Sequence, residues 1–421
     1  MTESKASFDK KTILQMVALC IGGGNIYMLV FMRAMFYDQM IDGMGITNTE
    51  FGNMIGLYGL TSIAFYFFGG IVADKFSARK VLVFSYLITA LGGMIYATLP
   101  SYGVGMSLHL MWGAAHTLTF WASYIKLTRS LGDSEVQGRL FGFLEGGRAL
   151  AVTLISSVAG LLFTWFDNPR TGLQAIILTY TVMNLVSAVT TWINFEDTAP
   201  TRDNRNLLKN LKVVVRMPQA WIIGFMVMGL MASNSGQHYT TPYMTHVLGM
   251  GGGMVMILSF MRSYAIKPIF APLLGIIADK VGRPSTVLFW SFALLSAVWL
   301  GIITVGDGNH TAFAVLMGCL GIMIASIRGV YFATVEESGV PMEYTGAFVG
   351  FICTLGMAPD AFISPLIGRI LDTYPGAQGY NYSFMILLGF SVLGLVMAFT
   401  LAAYNKRSAK KEKELKVAYQ G

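Results

Sequence analysis

Charged side chains are scarce in this sequence. Only 12% of its 421 residues are Asp, Glu, Lys or Arg, whereas a soluble domain carries about 25%. Hydrophobic residues make up 54% of the chain, and the mean hydropathy is +0.59. This composition excludes an ordinary soluble fold and indicates a protein that crosses a lipid bilayer many times.

The sequence is also poor in cysteine and lacks the common catalytic motifs. Cys20, Cys319 and Cys353 all fall in apolar segments, so we infer neither a disulfide nor a metal site. No P-loop, G-x-S-x-G or H-E-x-x-H motif occurs. We therefore predict that the protein is not an enzyme, needs no cofactor and does not draw energy from a bound nucleotide.

Twelve apolar segments are long enough to cross a bilayer as helices, which takes about 20 residues. The predicted spans are residues 12–38, 50–73, 80–98, 102–127, 138–165, 172–195, 218–246, 251–278, 285–305, 309–335, 344–371 and 381–404. Residues 196–217 form a predicted linker between bundles at 1–195 and 218–405, and the charged tail, 406–421, is expected to be frayed. The first segment has no signal-peptide cleavage pattern, so we interpret it as an uncleaved span.

Basic residues predict the orientation in the membrane. Lys and Arg cluster in the N-terminal segment, the linker, the tail and the loops on one side, whereas the other side keeps essentially only Arg170. Because cytoplasmic loops carry this excess, both termini are predicted to be cytoplasmic, in a bacterial inner membrane. The net charge of +7 then reflects topology, and no nucleic-acid partner is expected.

A repeated loop divides the chain into halves. The stretch "GGIVADKFSARKV" stands between the second and third spans, and "LGIIADKVGRPSTV" stands between the eighth and ninth. When they are aligned at Asp74 and Asp279, which are 205 residues apart, they share a Gly, an apolar triplet ending in Ala, the Asp-Lys pair and a later basic residue. Two six-helix halves in the same orientation, with a binding site at their interface, are a known transporter plan.

The two loops resemble the signature G-x-x-x-D-[RK]-x-G-x-[RK]-[RK] of the major facilitator superfamily, although Ser77 replaces the second Gly of the first copy. The resemblance implies an all-α membrane protein with twelve transmembrane helices in two six-helix bundles that rock around a central cavity. It also implies that the loop Asp (Asp74, Asp279) latches the outward-open state by meeting a helix N-terminus or a basic residue. The alternative is that this cluster only anchors a tight turn and sets the topology.

Seven Asp, Glu, Lys or Arg residues lie well inside the predicted spans, away from their ends. Each costs at least about 2.5–3.5 kcal/mol at mid-membrane, so such residues normally face a water-filled cavity or one another. They are Arg33, Glu145, Arg148, Arg262, Lys267, Arg328 and Asp360. Because five are basic and two are acidic, we expect the cavity to favour an anion.

Arg33 is the first candidate for contact with that anion. No acidic residue precedes it within a turn or two, and Arg can bind a carboxylate, phosphate or sulfonate through two hydrogen bonds. A Tyr followed by an Arg in the first span, here Tyr27 and Arg33, resembles the organophosphate antiporters and anion–cation symporters of the superfamily, in which the Arg binds the acidic group. The alternative for Arg33 is snorkelling toward the outer headgroups.

The organophosphate branch has a second Arg in its seventh span, where this chain has only Asn234, Gln237 and His238 in "MASNSGQHYTTPYM". We predict that these three polar residues contact the substrate. We expect Arg262 or Lys267, in the eighth span, to supply the charge. These two residues are five apart, which is about 140° around a helix. One of them is therefore expected in the cavity, and Arg262 is preferred.

Asp360 lies between Pro359 and Pro365, so we predict a broken eleventh helix. A carboxylate at that depth is either paired with a basic residue, for which Lys267 is the candidate, or protonated. A static salt bridge and a role in proton coupling both remain open.

The other candidates carry weaker signals. Glu145 and Arg148 are three residues apart and are predicted to pair near the cytoplasmic end, as an inner gate or a structural pair. Arg328 is assigned to the inner vestibule or to an interhelical contact. His116 could bind substrate, carry a proton or simply pack, and Asn25, like Tyr27, is expected to line the cavity.

The sequence thus predicts a monomeric secondary active transporter in a lipid bilayer, with the proton as coupling ion. Its substrate is expected to be a small organic anion of the sugar-acid, sugar-phosphate or sulfonate class. One alternative is an exporter or antiporter of amphipathic compounds, but the fifth span lacks the Gly-Pro signature usual in drug exporters. A membrane solute sensor is the other alternative, and no appended signalling domain supports it.

Overall fold

A computed structural model describes residues 9–132, 137–197, 207–305 and 309–420, and every regular element in these ranges is a helix. The helices up to the linker are α1 (Lys10–Asn25), α2 (Met28–Phe31), α3 (Arg33–Met44), α4 (Asn48–Lys75), α5 (Ala78–Tyr96), α6 (Tyr102–Ala114), a π-helical segment (Ala115–Trp121), α7 (Ala122–Arg129), α8 (Gln137–Thr164) and α9 (Pro169–Asn194).

The remaining helices begin in the linker. They are α10 (Leu207–Val214), α11 (Pro218–Gly236), a 3₁₀ turn (Gln237–Tyr239), α12 (Thr240–His246), α13 (Gly252–Phe260), a π-helical segment (Met261–Ala265), α14 (Lys267–Val281), α15 (Pro284–Thr304), α16 (His310–Val330), α17 (Ala333–Glu337), a 3₁₀ turn (Met342–Tyr344), α18 (Thr345–Gly356), α19 (Pro359–Thr373) and α20 (Ala377–Gln420).

Each of the twelve predicted spans corresponds to one helix or to a series of helical segments. Eight stretches of the described chain are long and apolar enough to cross a membrane, judged by length and composition. The tail differs from the expectation of fraying, because α20 continues as a helix to Gln420. Its Ala, Lys and Glu residues are strong helix formers and extend a helix that the last span has already nucleated.

The chain separates into two compact units. The first unit contains Met1–Ile46 and Leu60–Asp203, and the second contains Thr47–Gly59 and Asn204–Gly421. Residues Thr47–Gly59 thus belong to the second unit although they precede the linker in the sequence. As a result, the N-terminal part of the long helix α4 belongs to the second unit and the rest of α4 to the first.

Helix α1 lies at the centre of the first unit, and three glycines allow its neighbours to approach closely. A side chain at Gly22 would overlap the hydroxyl group of Tyr86, and one at Gly23 would overlap that of Tyr124. A Cβ atom at Gly24 would lie 3.0 Å from the backbone oxygen of Arg148. Both tyrosines are fully buried and belong to the same apolar cluster as Phe120. The glycine run is thus a packing surface for α5, α7 and α8 at once.

In the second unit, the N-terminus of α4 packs on α19. Asp372 accepts hydrogen bonds from the backbone N–H of Thr49 at 2.7 Å and from the side-chain amide of Asn48 at 2.9 Å. A side chain at Gly52 would overlap the α19 backbone, and one at Gly368 would overlap the backbone of Asn48. The contact therefore combines close helix packing with a carboxylate at a helix N-terminus, where the helix dipole favours negative charge.

The first copy of the repeated loop is anchored by Asp197, which follows α9. Its carboxylate accepts a hydrogen bond from the Ser77 hydroxyl at 2.9 Å, and it pairs with Lys80 at 2.8 Å and Arg79 at 3.0 Å. The Arg79 guanidinium also lies 4.3 Å from the ring centroid of Trp192. Hydrogen bonding, first by Lys80 and then by Ser77, lowers the pKa of Asp197 to about 2.

The second copy has a different acidic partner. Glu337, the last residue of α17, accepts hydrogen bonds from the Ser285 hydroxyl at 2.6 Å and from the Ser285 backbone N–H at 2.8 Å. This carboxylate caps the N-terminus of α15 from outside its own helix. The two loops share a sequence pattern, but each unit stabilises its copy with an acid from another part of the chain.

Candidate functional site

Within the described residues, five of the predicted spans are interrupted at or next to predicted site residues. The first span breaks at Ile26–Tyr27 and again at Met32, directly before Arg33. The other interruptions are the π-helical segment with His116, the 3₁₀ turn with Gln237 and His238, the π-helical segment with Arg262, and the α18–α19 break next to Asp360. Broken helices and π-helical turns expose backbone groups and are frequent at binding sites.

Two residues predicted from the first span are buried. Arg33 is 1% exposed and opens α3, three residues before the non-helical backbone of Phe36. Asn25 is fully buried and donates a hydrogen bond from its amide to the backbone oxygen of Tyr180 at 2.9 Å. Arg33 is therefore a positive charge placed at a helix break, whereas this bond of Asn25 ties α1 to α9.

Tyr27 and His116 are brought together in the first unit. Their ring centroids are 5.1 Å apart in an edge-to-face arrangement, and Tyr27 makes a second edge contact with Phe120 at 5.7 Å. The His116 Nε2 atom is 3.3 Å from the hydroxyl oxygen of Thr89. His116 is fully buried, so in this structure it supports Tyr27, which is only partly buried.

Glu145 and Arg148 form an ion pair within one turn of α8. The Arg148 Nη1 atom is 3.0 Å from Glu145 Oε1, and the side chains of Arg148 and Glu145 are 20% and 62% exposed, respectively. The Arg148 guanidinium also lies 5.8 Å from the ring centroid of Trp121, within the range of a cation–π contact. This pair is thus partly open, unlike the enclosed Arg33.

Arg262 is fully buried in the second unit and donates to a group of hydroxyls. Its guanidinium hydrogen-bonds Thr240 through Nη1, and its Nη2 atom lies 3.3 Å from both Thr241 and Ser263 hydroxyl oxygens. The π-helical turn closes through the hydrogen bond from the Ile266 N–H to the Met261 oxygen at 3.2 Å.

Asp360 reaches the opposite end of the seventh-span break. It accepts a hydrogen bond from the Ser235 hydroxyl, on the last turn of α11. Thr240, which binds Arg262, begins α12 on the other side of the 3₁₀ turn. The carboxylate of Asp360 and the guanidinium of Arg262 therefore bind the two sides of one short irregular segment. Loss of either hydrogen bond would remove a contact that holds this segment.

Asn234 and Gln237, predicted to contact substrate, interact with each other. The Gln237 amide lies 3.1 Å from the Asn234 backbone oxygen and 3.2 Å from its side-chain oxygen. Gln237 is fully buried. Both stabilise the end of α11 in this structure.

The 205-residue offset between the repeated loops also relates the first and seventh spans. With this offset, Arg33 corresponds to His238, and the break before Arg33 corresponds to the 3₁₀ turn Gln237–Tyr239. His238 is 6% exposed. Equivalent helices of the two units are therefore broken at the same position. The residue at that position is Arg33 in the first unit and His238 in the second.

Four predicted residues do not join these groups. Arg328 is exposed on the last turn of α16. The side chains of Asp74, Lys267 and Asp279 lie outside the described residues. The expected loop latch and the expected Lys267–Asp360 pair therefore stay predictions.

Sequence reasoning missed the partners that the structure gives to the charged groups. The hydroxyls of Ser235, Thr240 and Thr241 flank the seventh-span break, and Trp121 lies beside Arg148. The consecutive Thr240 and Thr241 in an apolar span were the available signal, because buried hydroxyls need hydrogen-bond partners. No spacing in the sequence connects Trp121 with Arg148.

Comparison with known proteins gives consistent results. The family model described as "Major Facilitator Superfamily" matches residues 18–356. The inner membrane proteins YqcE and YihN of Escherichia coli (strain K12) are each 28% identical; the matches cover 93% and 97% of this chain and 95% and 98% of the relatives. Alpha-ketoglutarate permease of the same organism is 24% identical over 75% of this chain and 78% of its own length. A bacterial homologue of the lysosomal transporter Spinster superposes with a TM-score of 0.74 and 11% identity, over 96% of this chain and 98% of that one.

Proposed function

Because the chain belongs to the Major Facilitator Superfamily, we propose that it moves a small organic anion across the membrane by alternating access, coupled to protons. The family consists of transporters of small molecules within the lipid bilayer, and the fold is the superfamily fold. The proposed substrates are sugar acids, sugar phosphates or sulfonates.

The surroundings of Arg262 carry this proposal. An Arg side chain stays protonated in proteins, and burying its charge is costly unless the charge finds partners. Arg262 is fully buried at a π-helical turn, where Thr240 and Thr241 hold its guanidinium in a fixed orientation. A carboxylate, phosphate or sulfonate arriving there would gain charge-assisted hydrogen bonds, which are about twice as strong as neutral ones.

Other residues of each unit are proposed as further substrate contacts. Arg33 supplies a second guanidinium at the break of the first span, and Tyr27 presents a partly buried ring that His116 supports. We propose that His238, which corresponds to Arg33 in the repeat, acts from the seventh span, with Asn234 and Gln237 beside it.

Asp360 is the proposed proton acceptor. Protonation would remove its charge and change its hydrogen bond with Ser235, which lies on one side of the seventh-span break. Thr240, on the other side of the same break, binds Arg262. Proton binding and anion binding would then act on the same short segment. Lys267, Arg328 and the loop residues Asp74 and Asp279 remain proposed coupling or gating residues, in a monomer with both termini cytoplasmic.

The name of one relative agrees with the proposed substrate class. The permease named for alpha-ketoglutarate carries a dicarboxylate according to that name. That relative is distant, so it supports an organic acid as the class of compound and no particular acid.

Uptake into proteoliposomes tests the proposal. The purified full-length protein is reconstituted, and labelled D-glucuronate, glucose 6-phosphate and alpha-ketoglutarate are offered with and without an inward proton gradient. We expect concentrative uptake of at least one anion that depends on the gradient and is lost in Arg262→Ala. The exposed Arg216 provides the matched control, because Arg216→Ala removes the same charge outside the site.

Two results would count against the proposal. Equal uptake of an anion and its neutral analogue, glucose for glucuronate, would exclude charge recognition. Uptake of an anion that is unchanged in Arg262→Ala would remove the guanidinium that carries the assignment.

A further inference from the structure

We propose that the first unit contains an anion subsite formed by Arg148, Trp121 and Tyr27, which binds the acidic group of a substrate that also carries a flat carbon face. This inference rests on the proposed function, organic-anion transport, and adds a contact to it. We call the region the α8 recess and define it by Cys20, Tyr27, Trp121, Tyr124 and Arg148.

Accessibility distinguishes Arg148 from Arg33, the other candidate site cation of the first unit. Arg33 is 1% exposed, whereas the Arg148 side chain is 20% exposed. A ligand can reach a partly exposed guanidinium without a prior rearrangement. Arg148 is therefore the group that an anion would meet first in this conformation.

The ion pair with Glu145 leaves Arg148 able to bind a second acid. Glu145 contacts the guanidinium through Nη1, at 3.0 Å, and Arg has five N–H donors in a planar fork. The side chain of Glu145 is 62% exposed, so few neighbouring atoms hold it in place. An incoming carboxylate or phosphate could share the guanidinium with Glu145 or displace it into solvent.

Two partly buried aromatic side chains, Trp121 and Tyr27, belong to the recess, and they are connected through the fully buried rings of Tyr124 and Phe120. Trp121 lies 5.8 Å from the Arg148 guanidinium and stacks on Tyr124, with ring centroids 6.2 Å apart. Tyr124 stacks in turn on Phe120, which contacts Tyr27. A few polar groups set among aromatic side chains are typical of small-molecule sites. An aromatic ring beside a guanidinium can pack on the flat C–H face of a sugar ring or on a planar acid, and it offers less to a compact inorganic anion.

Cys20 provides a natural reporter for the recess. It is partly exposed, its thiol lies 3.8 Å from the Leu144 backbone oxygen, and a side chain at Gly147 would overlap its sulfur atom. Cys20 is thus on α1, opposite the turn of α8 that carries the ion pair. Alkylation of Cys20 by N-ethylmaleimide should report whether the recess is occupied, and Cys20→Ser gives the background from the other two thiols.

The experiment measures Cys20 alkylation and uptake in the same proteoliposomes, with D-glucuronate, glucose 6-phosphate and alpha-ketoglutarate as probes and glucose as the neutral control. We expect at least one anion, offered at about ten times its Kd, to slow alkylation about tenfold in the wild type, because protection follows occupancy. Arg148→Gln should raise the KM for uptake about tenfold and reduce this protection to about twofold, and Arg148→Lys should have a smaller effect on both. Trp121→Phe should affect the sugar acids more than alpha-ketoglutarate.

The possible outcomes distinguish failure of the subsite from failure of the proposed function. Uptake of an anion that neither protects Cys20 nor depends on Arg148 would overturn the subsite and leave the proposed function standing. Protection without uptake would support the subsite and contradict transport of that anion. If none of the anions protects Cys20 or enters the vesicles, both proposals fail. Arg148→Lys also serves as the folding control, because it keeps the charge and the pair with Glu145.

Discussion

Arg148 in the first unit and Arg262 in the second are guanidinium groups with opposite surroundings. Arg148 is partly exposed, pairs with a carboxylate three residues away and lies beside an indole ring. Arg262 is fully buried and is held by hydroxyls that another helix contributes. The comparison teaches that the same chemical group is placed in an accessible position in one unit and in an enclosed position in the other.

Substitution of Arg262 is expected to reduce uptake more than any other change, because this enclosed charge is held by specific hydrogen-bond partners. We expect Arg262→Ala to reduce uptake about a hundredfold or more, and Arg262→Lys about tenfold, since an ammonium group cannot reproduce the planar fork. Initial uptake rates in proteoliposomes check this. If Arg148→Gln proved more damaging than Arg262→Ala, the roles assigned to the two residues would have to be exchanged.

The next effect concerns Asp360, the acid attached to the same break as Arg262. We expect Asp360→Asn to abolish the stimulation of uptake by an inward proton gradient while anion exchange across the membrane continues. Ser235→Ala should weaken the stimulation without abolishing it. The measurement compares gradient-driven uptake with counterflow. Full stimulation in Asp360→Asn would show that the proton binds elsewhere.

A third prediction tests packing in the first unit, where the glycine run of α1 has no full equivalent in the seventh span. Gly22→Ala should destabilise the protein by about 1–3 kcal/mol, because the new methyl group overlaps the Tyr86 hydroxyl. The melting temperature in detergent measures this, and Tyr86→Phe in the same chain should restore part of the loss. Gly142→Ala is the matched control, since a methyl group added at Gly142 would have no described atom within 4 Å.

The smallest effect, on thermal stability, is expected for the acids that anchor the repeated loops, Asp197 in the first unit and Glu337 in the second. The pKa of Asp197 is lowered to about 2 from an ordinary 3.8, so its ionised form stabilises the folded protein above about pH 4, and this stabilisation is lost as the pH falls toward 2. The wild type and Asp197→Asn should therefore differ by a small constant amount in melting temperature between pH 5 and 8. The difference should disappear on acidification. A difference that grew between pH 5 and 8 would contradict this assignment.

Some of this architecture could be predicted from the sequence. Hydropathy located all twelve spans, and the repeated loop at Asp74 and Asp279 indicated the superfamily, which the family match and the fold confirm. The pair Glu145 and Arg148 followed from three-residue spacing on one helix. These features depend on composition or on neighbours within one helix, so a linear pattern contains them.

Features that depend on other helices could not be predicted. Hydropathy is the same for an α-helical and a π-helical turn, so nothing marked the irregular backbone at His116 and Arg262. The hydroxyl partners of Arg262 come from residues about twenty positions earlier, and Asp197 reaches Lys80 from more than a hundred positions away. The charge of the tail indicates fraying, but its helix propensity and the preceding span decide its conformation.

Helix α4 belongs to both units, and this gives its capped N-terminus a mechanical consequence. A continuous helix of 28 residues is about 40 Å long. If Asp372 released Asn48 and Thr49, the first turn of α4 would lose its hydrogen bonds to α19 inside the second unit. The close packing of Gly52 on α19 would then have to hold this end of a long rigid helix.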